Sequence, residues 1–364
     1  MVQVTSILKK RIQKVRRLFS AQKADCMLIA LPANISYLTG FLGEDSWLLI
    51  TAHTNILITD SRFILQAEKQ CPNSKIYVRK GRMTQAFTEI LKKYPEIKTA
   101  VLEDTVEIGT YNILKKKLPV KVKTVSKVVE AAREIKDQAE ISEITKAAHI
   151  SKLALDKILK KIRIGMTEIQ IAAMLDYEMK KFGCNPAFET IVAFGTNSAM
   201  PHYRPANRKL KKIDTILFDF GAKLNNYCSD LTRCFAVGKV TDFYAKVYKT
   251  VLEAQTAAIN ILKAGLEAKD ADDAAKQIIT SQNLKPYGHG LGHGLGIDVH
   301  ELPTVSYMSK LKLQAGNVIT VEPGVYIPNK FGIRIEDDVL ITDSGCEILS
   351  ALLKTDDTPI LKLK

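Results

Sequence analysis

The apolar positions of the first 125 residues alternate between a helical and a strand period. Four apolar residues recur at intervals of three or four with basic residues between them: Leu8, Ile12, Val15 and Phe19. This spacing predicts an amphipathic helix over about 5–19, and the apolar run from Cys26 to Leu31 predicts a buried strand. Similar patterns predict strands over 46–51, 55–59 and 99–103 and helices over 61–70 and 84–94. We therefore expect an α/β fold for this region.

The rest of the chain begins with long helical patterns and continues mainly with strand patterns. Helices are predicted over 137–163 and 168–182, with a break at Gly165, and again at about 241–263 and 270–282. Strand patterns dominate after Cys184, which predicts an α+β domain. Because a lysine-rich connection lies near 125–135, we predict two domains, at 1–128 and 129–364.

The charge of the chain is unevenly distributed. The formal net charge of +14 suggests nucleic acid or a membrane surface as a partner, but 22 basic and only 11 acidic residues precede position 131. The remainder therefore carries only +3. We interpret the basic residues over 5–19 as the solvated face of a packed helix, with a membrane-surface or targeting helix as the alternative. We expect no nucleic-acid and no membrane partner.

The cysteines and the N-terminal residues bear on the cellular compartment. Six cysteines are present without a C-x-x-C pair, and no apolar signal core follows Lys9-Lys10-Arg11. Scattered thiols of this kind are typical of reduced proteins, so we expect a cytoplasmic location.

Two aspartates interrupt neighbouring strand patterns. Asp219 lies within the apolar run 215–221, where an unpaired charge would be costly, and Asp230 follows the start of the next strand at Tyr227. A two-residue turn at Leu224-Asn225 would place Asp219 directly opposite Asp230. Because such a like-charge pair is destabilising without a cation between its members, the pattern indicates a metal ion.

A second pair of carboxylates follows the same logic. Glu322 and Glu336 lie in two strand patterns joined by Pro328-Asn329-Lys330, and a hairpin centred on Asn329 would place them face to face. A single buried acid is more often a structural residue. Two such pairs in one chain favour a metal centre.

A glycine-rich segment supplies candidate histidines. Glycine occupies every second position from Gly288 to Gly296, which leaves His289 and His293 on one side of an extended chain and allows close backbone approach on the other. No phosphate-binding loop pattern fits this segment. Four carboxylates and one imidazole suit Mn²⁺, Fe²⁺ or Co²⁺, with Zn²⁺ as an alternative, and four acids can neutralise two divalent ions. Two such ions would hold a hydroxide nucleophile.

The motifs that carry these residues resemble those of the pita-bread metallopeptidases. They are Phe218-Asp219-Phe220-Gly221, Ser229-Asp230-Leu231-Thr232-Arg233, Gly292-His293-Gly294, Val321-Glu322-Pro323-Gly324 and Arg334-Ile335-Glu336-Asp337. Their order and spacing are similar to those of the Xaa-Pro peptidase branch, which includes aminopeptidase P and prolidase. Two further segments, at 34–41 and 59–62, resemble the non-catalytic N-terminal domain of that branch.

The resemblance implies a role for each matching position. Five residues would bind a dinuclear centre, with two of them, Asp230 and Glu336, bridging the ions: Asp219, Asp230, His293, Glu322 and Glu336. His202 and His300 would bind the scissile carbonyl or the departing proline nitrogen, although from sequence alone His202 could cap a loop and His300 could lie on the surface. Glu322 would also accept a proton.

Two more residues are candidates for contacts with the substrate or with the metal ligands. Arg334 shares a strand face with Glu336 by period-two spacing and could orient that carboxylate, and His289 lies four residues before His293. The resemblance also implies two divalent ions per subunit, with Mn²⁺ expected first, proline-containing peptides as substrates, and a homodimer.

The expected activity is metal-dependent hydrolysis of the Xaa-Pro bond at peptide N-termini, as in aminopeptidase P. Prolidases often carry an arginine after an H-E-x-P motif, where this chain has Thr304, but another residue could bind the substrate carboxylate, so Xaa-Pro dipeptidase is the alternative. Methionine aminopeptidases fit poorly, because the interval from Glu322 to Glu336 is only 14 residues and an α/β domain is added. Creatinase-type enzymes need not bind a metal, so the complete set of proposed ligands weighs against that class. A non-catalytic binding module on the same fold would be expected to have lost one or more ligands, and none is lost here.

Overall fold

The computed structural model describes residues 2–350 and 358–363, and its internal contacts divide the chain into two compact units, Met1–Arg133 and Glu134–Lys364. The boundary expected at 128/129 falls at the start of the short helix Val128–Arg133, which belongs to the first unit. None of the described helices is both long and apolar enough to cross a membrane.

The first unit is an α/β domain, as predicted. Its elements are α1 (Val2–Ser20), β1 (Cys26–Ile29), α2 (Pro32–Thr39), β2 (Trp47–Thr51), β3 (Asn55–Thr59), α3 (Ile64–Gln70), β4 (Lys75–Val78), α4 (Met83–Leu91), β5 (Thr99–Glu103), α5 (Ile108–Lys117), β6 (Lys121–Val125) and α6 (Val128–Arg133). The strands form one mixed sheet in the order β4-β3-β2-β1-β5-β6. The four apolar residues of α1 are buried, which confirms a helix packed on its own domain.

The apolar pattern does not predict three helices and the two edge strands of this unit: α2, α5, α6, β4 and β6. Strands β4 and β6 are the two edge strands; each begins with an exposed lysine, and none of their residues is fully buried. Helix α2 begins at Pro32 and ends at Thr39, and the following Gly40, with a φ of 80°, forms a left-handed cap that glycine adopts without steric cost.

The second unit is an α+β domain. Its elements are α7 (Gln138–Leu159), α8 (Glu168–Lys181), β7 (Asn185–Pro186), β8 (Ile191–Phe194), β9 (Asp214–Phe220), β10 (Ala222–Leu224), β11 (Tyr227–Cys228), β12 (Leu231–Val237), α9 (Asp242–Ile261), α10 (Ala268–Ser281), β13 (Gly292–Gly294), β14 (Glu301–Val305), β15 (Val318–Val321), β16 (Gly324–Ile327), β17 (Phe331–Arg334), β18 (Asp337–Ile341), β19 (Cys346–Ile348) and β20 (Ile360–Leu361). Two larger sheets have the orders β20-β12-β9-β8 and β14-β13-β15-β18-β19.

Helix pairs cover these sheets from different sides. Alternate residues of β9, including Phe218 and Phe220, pack with α7 and α8, whereas Leu217 packs with α9, α10 and strands of the second large sheet. Because side chains alternate along a strand, Asp219 shares the face of Leu217. This face is the one on which the acidic residues of the other sheet also converge.

The first hairpin differs from the prediction in its turn. The turn residues are Asn225 and Asn226, with φ values of 47° and 75°, and not Leu224 and Asn225. Asparagine tolerates the left-handed conformation that a tight hairpin turn requires, whereas leucine does not. The register therefore shifts by two, and Asp219 pairs with Thr232 rather than with Asp230.

The register of the second hairpin is confirmed. Gly324 pairs with Arg334 and Ile327 with Phe331 around a turn in which Asn329 has a φ of 61°. The same register continues in the ladder of β15 and β18, where Val321 pairs with Asp337. Glu322 and Glu336 occupy the gap between the two ladders.

Candidate metal centre

The five proposed ligands lie where strands of the second unit are interrupted or pack unusually closely. Asp219 is in β9 and His293 is in β13, whereas Asp230, Glu322 and Glu336 lie just outside strands, next to β12, β15 and β18. All five line one cleft of about 720 Å³. Because three of these residues lie at breaks between strands, they are free of the regular strand spacing, and the five side chains converge from five strands.

The ligand atoms are close enough to share a cation. One oxygen each of Asp230 and Glu336 and one ring nitrogen of His293 lie within 4.8 Å of one another. The Nε2 atom of His293 is 3.4 Å from Oε1 of Glu322 and 3.8 Å from Oδ2 of Asp230. Asp219 lines the same cleft, and its carboxylate pairs there with Arg334. Carboxylate oxygens and an imidazole nitrogen form a donor set that fits divalent ions.

The electrostatics of the cluster also favour a bound cation. Burial raises the pKa of Asp219, Asp230 and Glu336, and repulsion between neighbouring carboxylates raises those of Asp230 and Glu336 further. Burial acts in the same direction on Glu322, but His293 and Arg334 outweigh it and lower the pKa of Glu322. Removing several carboxylates from water is costly unless a positive charge compensates them. The residues present therefore fit a metal ion.

The orientation of His293 is fixed by its own backbone and by its glycine neighbours. Its Nδ1 is 3.1 Å from the carbonyl oxygen of Gly294, so Nδ1 carries a hydrogen and Nε2 faces the acids. A Cβ on Gly292 would lie 1.9 Å from the carbonyl oxygen of Thr320, and one on Gly294 would lie 2.0 Å from that of Leu302. The close backbone approach expected at the glycine-rich segment is thus observed.

Arg334 and Thr232 form hydrogen bonds to the carboxylates of Asp219 and Glu336. The Arg334 guanidinium pairs directly with Asp219, and its Nε donates to the Thr232 hydroxyl at 2.9 Å. Thr232 in turn donates to Oε2 of Glu336 at 2.6 Å. Arg334 therefore bonds directly to Asp219 and is linked to Glu336 through the Thr232 hydroxyl.

A buried ion pair holds the backbone next to Glu336. Arg233 pairs with Asp337 at 2.7 Å and also donates to the carbonyl oxygens of Thr232 and Glu336. Asp337 accepts further hydrogen bonds from Gln255 at 3.0 Å and Ser350 at 2.9 Å. This network fixes the position at which β17 gives way to β18.

The three candidate histidines other than His293 all line the same cleft. The His300 ring packs edge-on against His293 with centroids 4.2 Å apart, and burial and the neighbouring His293 lower the pKa of His300. His202 enters the cleft from the segment that follows β8. The structure therefore brings both proposed catalytic histidines to the acidic cluster.

His289 has both ring nitrogens engaged within the protein. Its Nδ1 lies 2.7 Å from the carbonyl oxygen of Gly290 and carries the hydrogen, so Nε2 accepts from the Tyr326 hydroxyl at 3.1 Å. Tyr326 also accepts from Arg334 at 2.8 Å. His289 thus connects to the metal ligands through Tyr326 and Arg334.

A buried carboxylate on α10 organises one rim of the cleft. Asp272 is fully buried and accepts from the Tyr287 hydroxyl at 2.7 Å, from the backbone N–H of Tyr307 at 2.6 Å and from Lys276 at 2.7 Å. Tyr287 stacks on His289 with centroids 4.9 Å apart. Asp272 therefore links the backbone at Tyr307 to Tyr287, which stacks on His289, the residue that hydrogen-bonds to Tyr326.

Several of these supporting residues were not singled out by the sequence. Thr232 lies two positions after Asp230 and opposite Asp219, so the corrected register would have placed it on the ligand face. Tyr326 lies in β16, on the strand that follows Glu322. Asp272 lies among several charged residues of α10 and carries no comparable signal in the sequence.

The two N-terminal segments with family resemblance have structural roles in the first unit. Asn34 is buried and donates to Glu103 at 2.6 Å and Glu130 at 2.8 Å. Asp60 caps the 3₁₀ turn Ser61–Phe63 and pairs with Arg62 at 2.6 Å.

Comparison with known proteins identifies a family model for each of the two units. The model of metallopeptidase family M24 matches residues 142–343, and that of the creatinase/prolidase N-terminal domain matches residues 11–135. The chain is 35% identical over 348 residues to a Xaa-Pro dipeptidase of Pyrococcus horikoshii, covering 94% of this chain and 97% of that protein.

Solved structures give the same result. A Xaa-Pro dipeptidase from Bacillus anthracis has a TM-score of 0.93 at 34% identity, covering 97% of this chain and all of that one. An X-Pro aminopeptidase from Thermotoga maritima has a TM-score of 0.88 at 37% identity, covering 94% and 99% of the two chains. With the acidic cluster in the second unit and these matches along both units, the chain belongs to metallopeptidase family M24 and combines its pita-bread fold with a creatinase/prolidase-type N-terminal domain.

Proposed function

We propose that the protein is a metal-dependent exopeptidase that hydrolyses the bond preceding proline at the N-terminus of peptides. The observation that carries this proposal is the buried cluster of carboxylates and one imidazole in a cleft of about 720 Å³. The similar proteins named Xaa-Pro dipeptidase and X-Pro aminopeptidase support the choice of proline peptides.

The metal would be held by the five residues of the cluster. Four carboxylates balance two divalent ions, and we propose Mn²⁺ as the first choice, with Co²⁺, Fe²⁺ and Zn²⁺ as alternatives. The residues that would hold these ions are Asp219, Asp230, His293, Glu322 and Glu336, all of which line the cleft. Such ions, when bound, polarise a carbonyl and lower the pKa of a water molecule, which supplies a nucleophile at neutral pH.

The residues of the cleft would handle the protons of the reaction. The nitrogen of an Xaa-Pro bond has no hydrogen, so it must gain a proton when it departs as a secondary amine. Glu322 lines the cleft 3.4 Å from His293, and we propose that its carboxylate accepts a proton from the attacking water and returns it to the departing nitrogen.

The two histidines would bind the substrate carbonyl and the departing nitrogen. Burial lowers the pKa of His300, so at pH 7 its ring is neutral and has one N–H to donate to the carbonyl oxygen. His202 lines the same cleft and would contact the proline side of the bond. Arg334 would keep Asp219 and, through Thr232, Glu336 in their ligating orientations.

Two forms of this proposal, an aminopeptidase P-like activity and a dipeptidase activity, differ in the length of the substrate. A dipeptidase needs a cation for the free carboxylate of proline, and the residue expected to supply it is replaced by Thr304, which favours an aminopeptidase P-like activity. Dipeptidase activity is the second candidate, because several similar proteins carry that name and because Arg204, paired with Glu189 at 3.3 Å, lines the cleft.

The test is hydrolysis of Gly-Pro and Arg-Pro-Pro by metal-stripped protein before and after addition of Mn²⁺. Activity restored on the tripeptide alone would identify the aminopeptidase form, and activity on Gly-Pro alone would identify the dipeptidase form. Cleavage of both would indicate mixed specificity. If Mn²⁺ and the three alternative metals restore neither activity, the proposed function is wrong.

Two variants test the proton transfer. Glu322→Gln keeps the shape of the side chain but removes its basicity, so we expect kcat to fall by roughly 10²-fold or more. Glu347→Gln changes an exposed glutamate on β19 and serves as the control. Unchanged turnover in Glu322→Gln would refute the proposed role of Glu322.

We further propose a homodimer in the cytoplasm. Exposed apolar side chains such as Leu65 and Ile108 on the first unit are compatible with a protein interface, and all six cysteines are free. Sedimentation analysis should give twice the chain mass of 40.5 kDa, and a monomer at micromolar concentration would contradict the dimer.

A further inference from the structure

The segment that carries His202 has little regular structure of its own. It follows β8 and consists of the 3₁₀ turn Gly195–Ala199, a turn at 200–202 and an irregular stretch to about residue 207. A loop of this kind does not fix a side chain to within the tolerance that catalysis requires unless tertiary contacts hold it.

One buried carboxylate contacts this segment at both ends. Glu168 is the first residue of α8 and is completely buried. Its Oε1 accepts from the backbone N–H of Phe194 at 2.7 Å and from Nδ2 of Asn197 at 2.9 Å. Its Oε2 accepts from the Tyr203 hydroxyl at 2.7 Å and from the backbone N–H of Ala206 at 3.2 Å.

We infer that Glu168 is a positioning residue that holds His202 in the cleft. This inference rests on the proposed function, in which His202 contacts the proline side of the substrate. The four donors that Glu168 accepts from lie on both sides of His202, and one of them is its immediate neighbour Tyr203. A displacement of the carboxylate would therefore displace the histidine.

The chemistry of the four contacts requires a carboxylate. An ionised carboxylate accepts at both oxygens, whereas a glutamine presents an NH₂ group at one of them. In Glu168→Gln that group would face two donors, either Phe194 and Asn197 or Tyr203 and Ala206, and these buried donors would lose their acceptor. Asn197 also donates to the Tyr203 hydroxyl at 2.7 Å, so the loss at one oxygen is transmitted to the other.

The test compares Glu168→Gln with Glu178→Gln. Both are glutamates of α8 with nearly completely buried side chains, but Glu178 pairs with lysines, including Lys161 at 2.5 Å, and does not bond to the His202 segment. A misplacement of about 1 Å can cost about 10²-fold in rate, so we expect Glu168→Gln to lower kcat by about 10- to 100-fold. We expect Glu178→Gln to stay within about threefold of the wild type.

A double-variant cycle separates positioning from general damage. In a His202→Ala background, Glu168→Gln should cause no more than a twofold further loss, because the residue that it positions is already gone. Tyr203→Phe removes one of the four donors and provides a milder variant, for which we expect a smaller loss with the same non-additivity. Equal losses in the presence and absence of His202, or full activity in Glu168→Gln, would overturn the inference.

Hydrogen exchange supplies a readout that does not depend on activity. The amide that faces the glutamine NH₂ group, Phe194 or Ala206, should exchange faster in Glu168→Gln than in the wild type and in Glu178→Gln, whereas the Mn²⁺-induced shift in melting temperature should stay the same. Unchanged exchange would refute the inference even if the proposed function holds. If the wild type cleaves no proline peptide, the proposed function fails instead, and exchange alone then tests whether Glu168 holds the segment.

Discussion

The ion pair between Arg233 and Asp337 should be one of the most sensitive points of the second unit. The side chains of both residues are almost completely buried, and their atoms are 2.7 Å apart. Asp337→Asn removes the negative charge that lies 2.7 Å from the Arg233 guanidinium, although the amide keeps one acceptor oxygen. Removing one partner of a buried pair costs about 3–5 kcal/mol, and the remaining oxygen places Asp337→Asn near 3 kcal/mol.

This cost can be converted into a melting temperature. For a domain of about 150–250 residues, 1 kcal/mol shifts the melting temperature by about 2–4 °C, so we expect a decrease of about 6–12 °C. The measurement is differential scanning calorimetry of the full chain. Asp156→Asn is the control, because the pair of Lys152 and Asp156 is similar in length, 2.9 Å, but each side chain is about 30% exposed. Such a surface pair contributes at most about 1 kcal/mol.

A charge-removal variant tests the reason for the loss. Arg233→Met removes the buried cation, so adding Asp337→Asn to it should cost at least about 1 kcal/mol less than Asp337→Asn costs in the wild type. A decrease in melting temperature for Asp337→Asn no larger than that for Asp156→Asn would refute the importance of the buried pair. Additive effects of Arg233→Met and Asp337→Asn would refute its electrostatic origin.

Three further predictions concern the glycines, the metal and the thiols. Gly292→Ala should abolish metal-dependent activity and Mn²⁺ binding, because its Cβ would lie 1.9 Å from a backbone oxygen of β15, whereas Gly288→Ala has no neighbour within 4 Å and should keep both within twofold. Equal behaviour of the two variants in calorimetric Mn²⁺ titrations would contradict this. Mn²⁺ at about 100 times its Kd should stabilise the protein by about 2.7 kcal/mol and raise the melting temperature by about 5–11 °C, reversibly with a chelator; no shift would refute binding to the native cluster. Burial raises the pKa of Cys26, Cys228 and Cys234 to about 12, so at pH 8 only roughly one in 10⁴ of these thiols is ionised. Disulfide-exchange labelling of the native protein should therefore reach the half-buried Cys346 first, and faster reaction of the other three would be contrary to expectation.

Local rules predicted one hairpin of the site correctly and misplaced the other. The turn around Asn329 follows from the spacing of the two strand patterns, so the positions of Glu322 and Glu336 could be obtained by counting. In the first hairpin the predicted turn, Leu224-Asn225, and the observed turn, Asn225-Asn226, differ by one position. Both residues of such a turn must adopt a left-handed backbone conformation, which asparagine tolerates, and only this requirement selects Asn225-Asn226. The choice of the five proposed ligands rests on their motifs and does not depend on the position of this turn.

The residues that hold the ligands in place could not be predicted in the same way. Glu168 in the sequence is an ordinary acidic residue in the first turn of a helix, where the helix dipole favours it. Its four hydrogen-bond donors lie 26 to 38 positions further along the chain, so no local sequence pattern predicts these contacts. Asp272 is similar, because its partners Tyr287 and Tyr307 lie beyond the helix that carries it.

The wide spacing of the ligands along the chain has a consequence for how the centre is built during folding. Asp219 and Glu336 are 117 positions apart, and the acidic cluster forms only when strands from both large sheets have come together. Such long-range contacts form slowly, and loop closure must precede any gain from the ion. A fragment that ends before β17 would contain three of the carboxylates but lack Glu336. Binding of the ion should therefore indicate that the whole unit has assembled, and not only that one hairpin has folded.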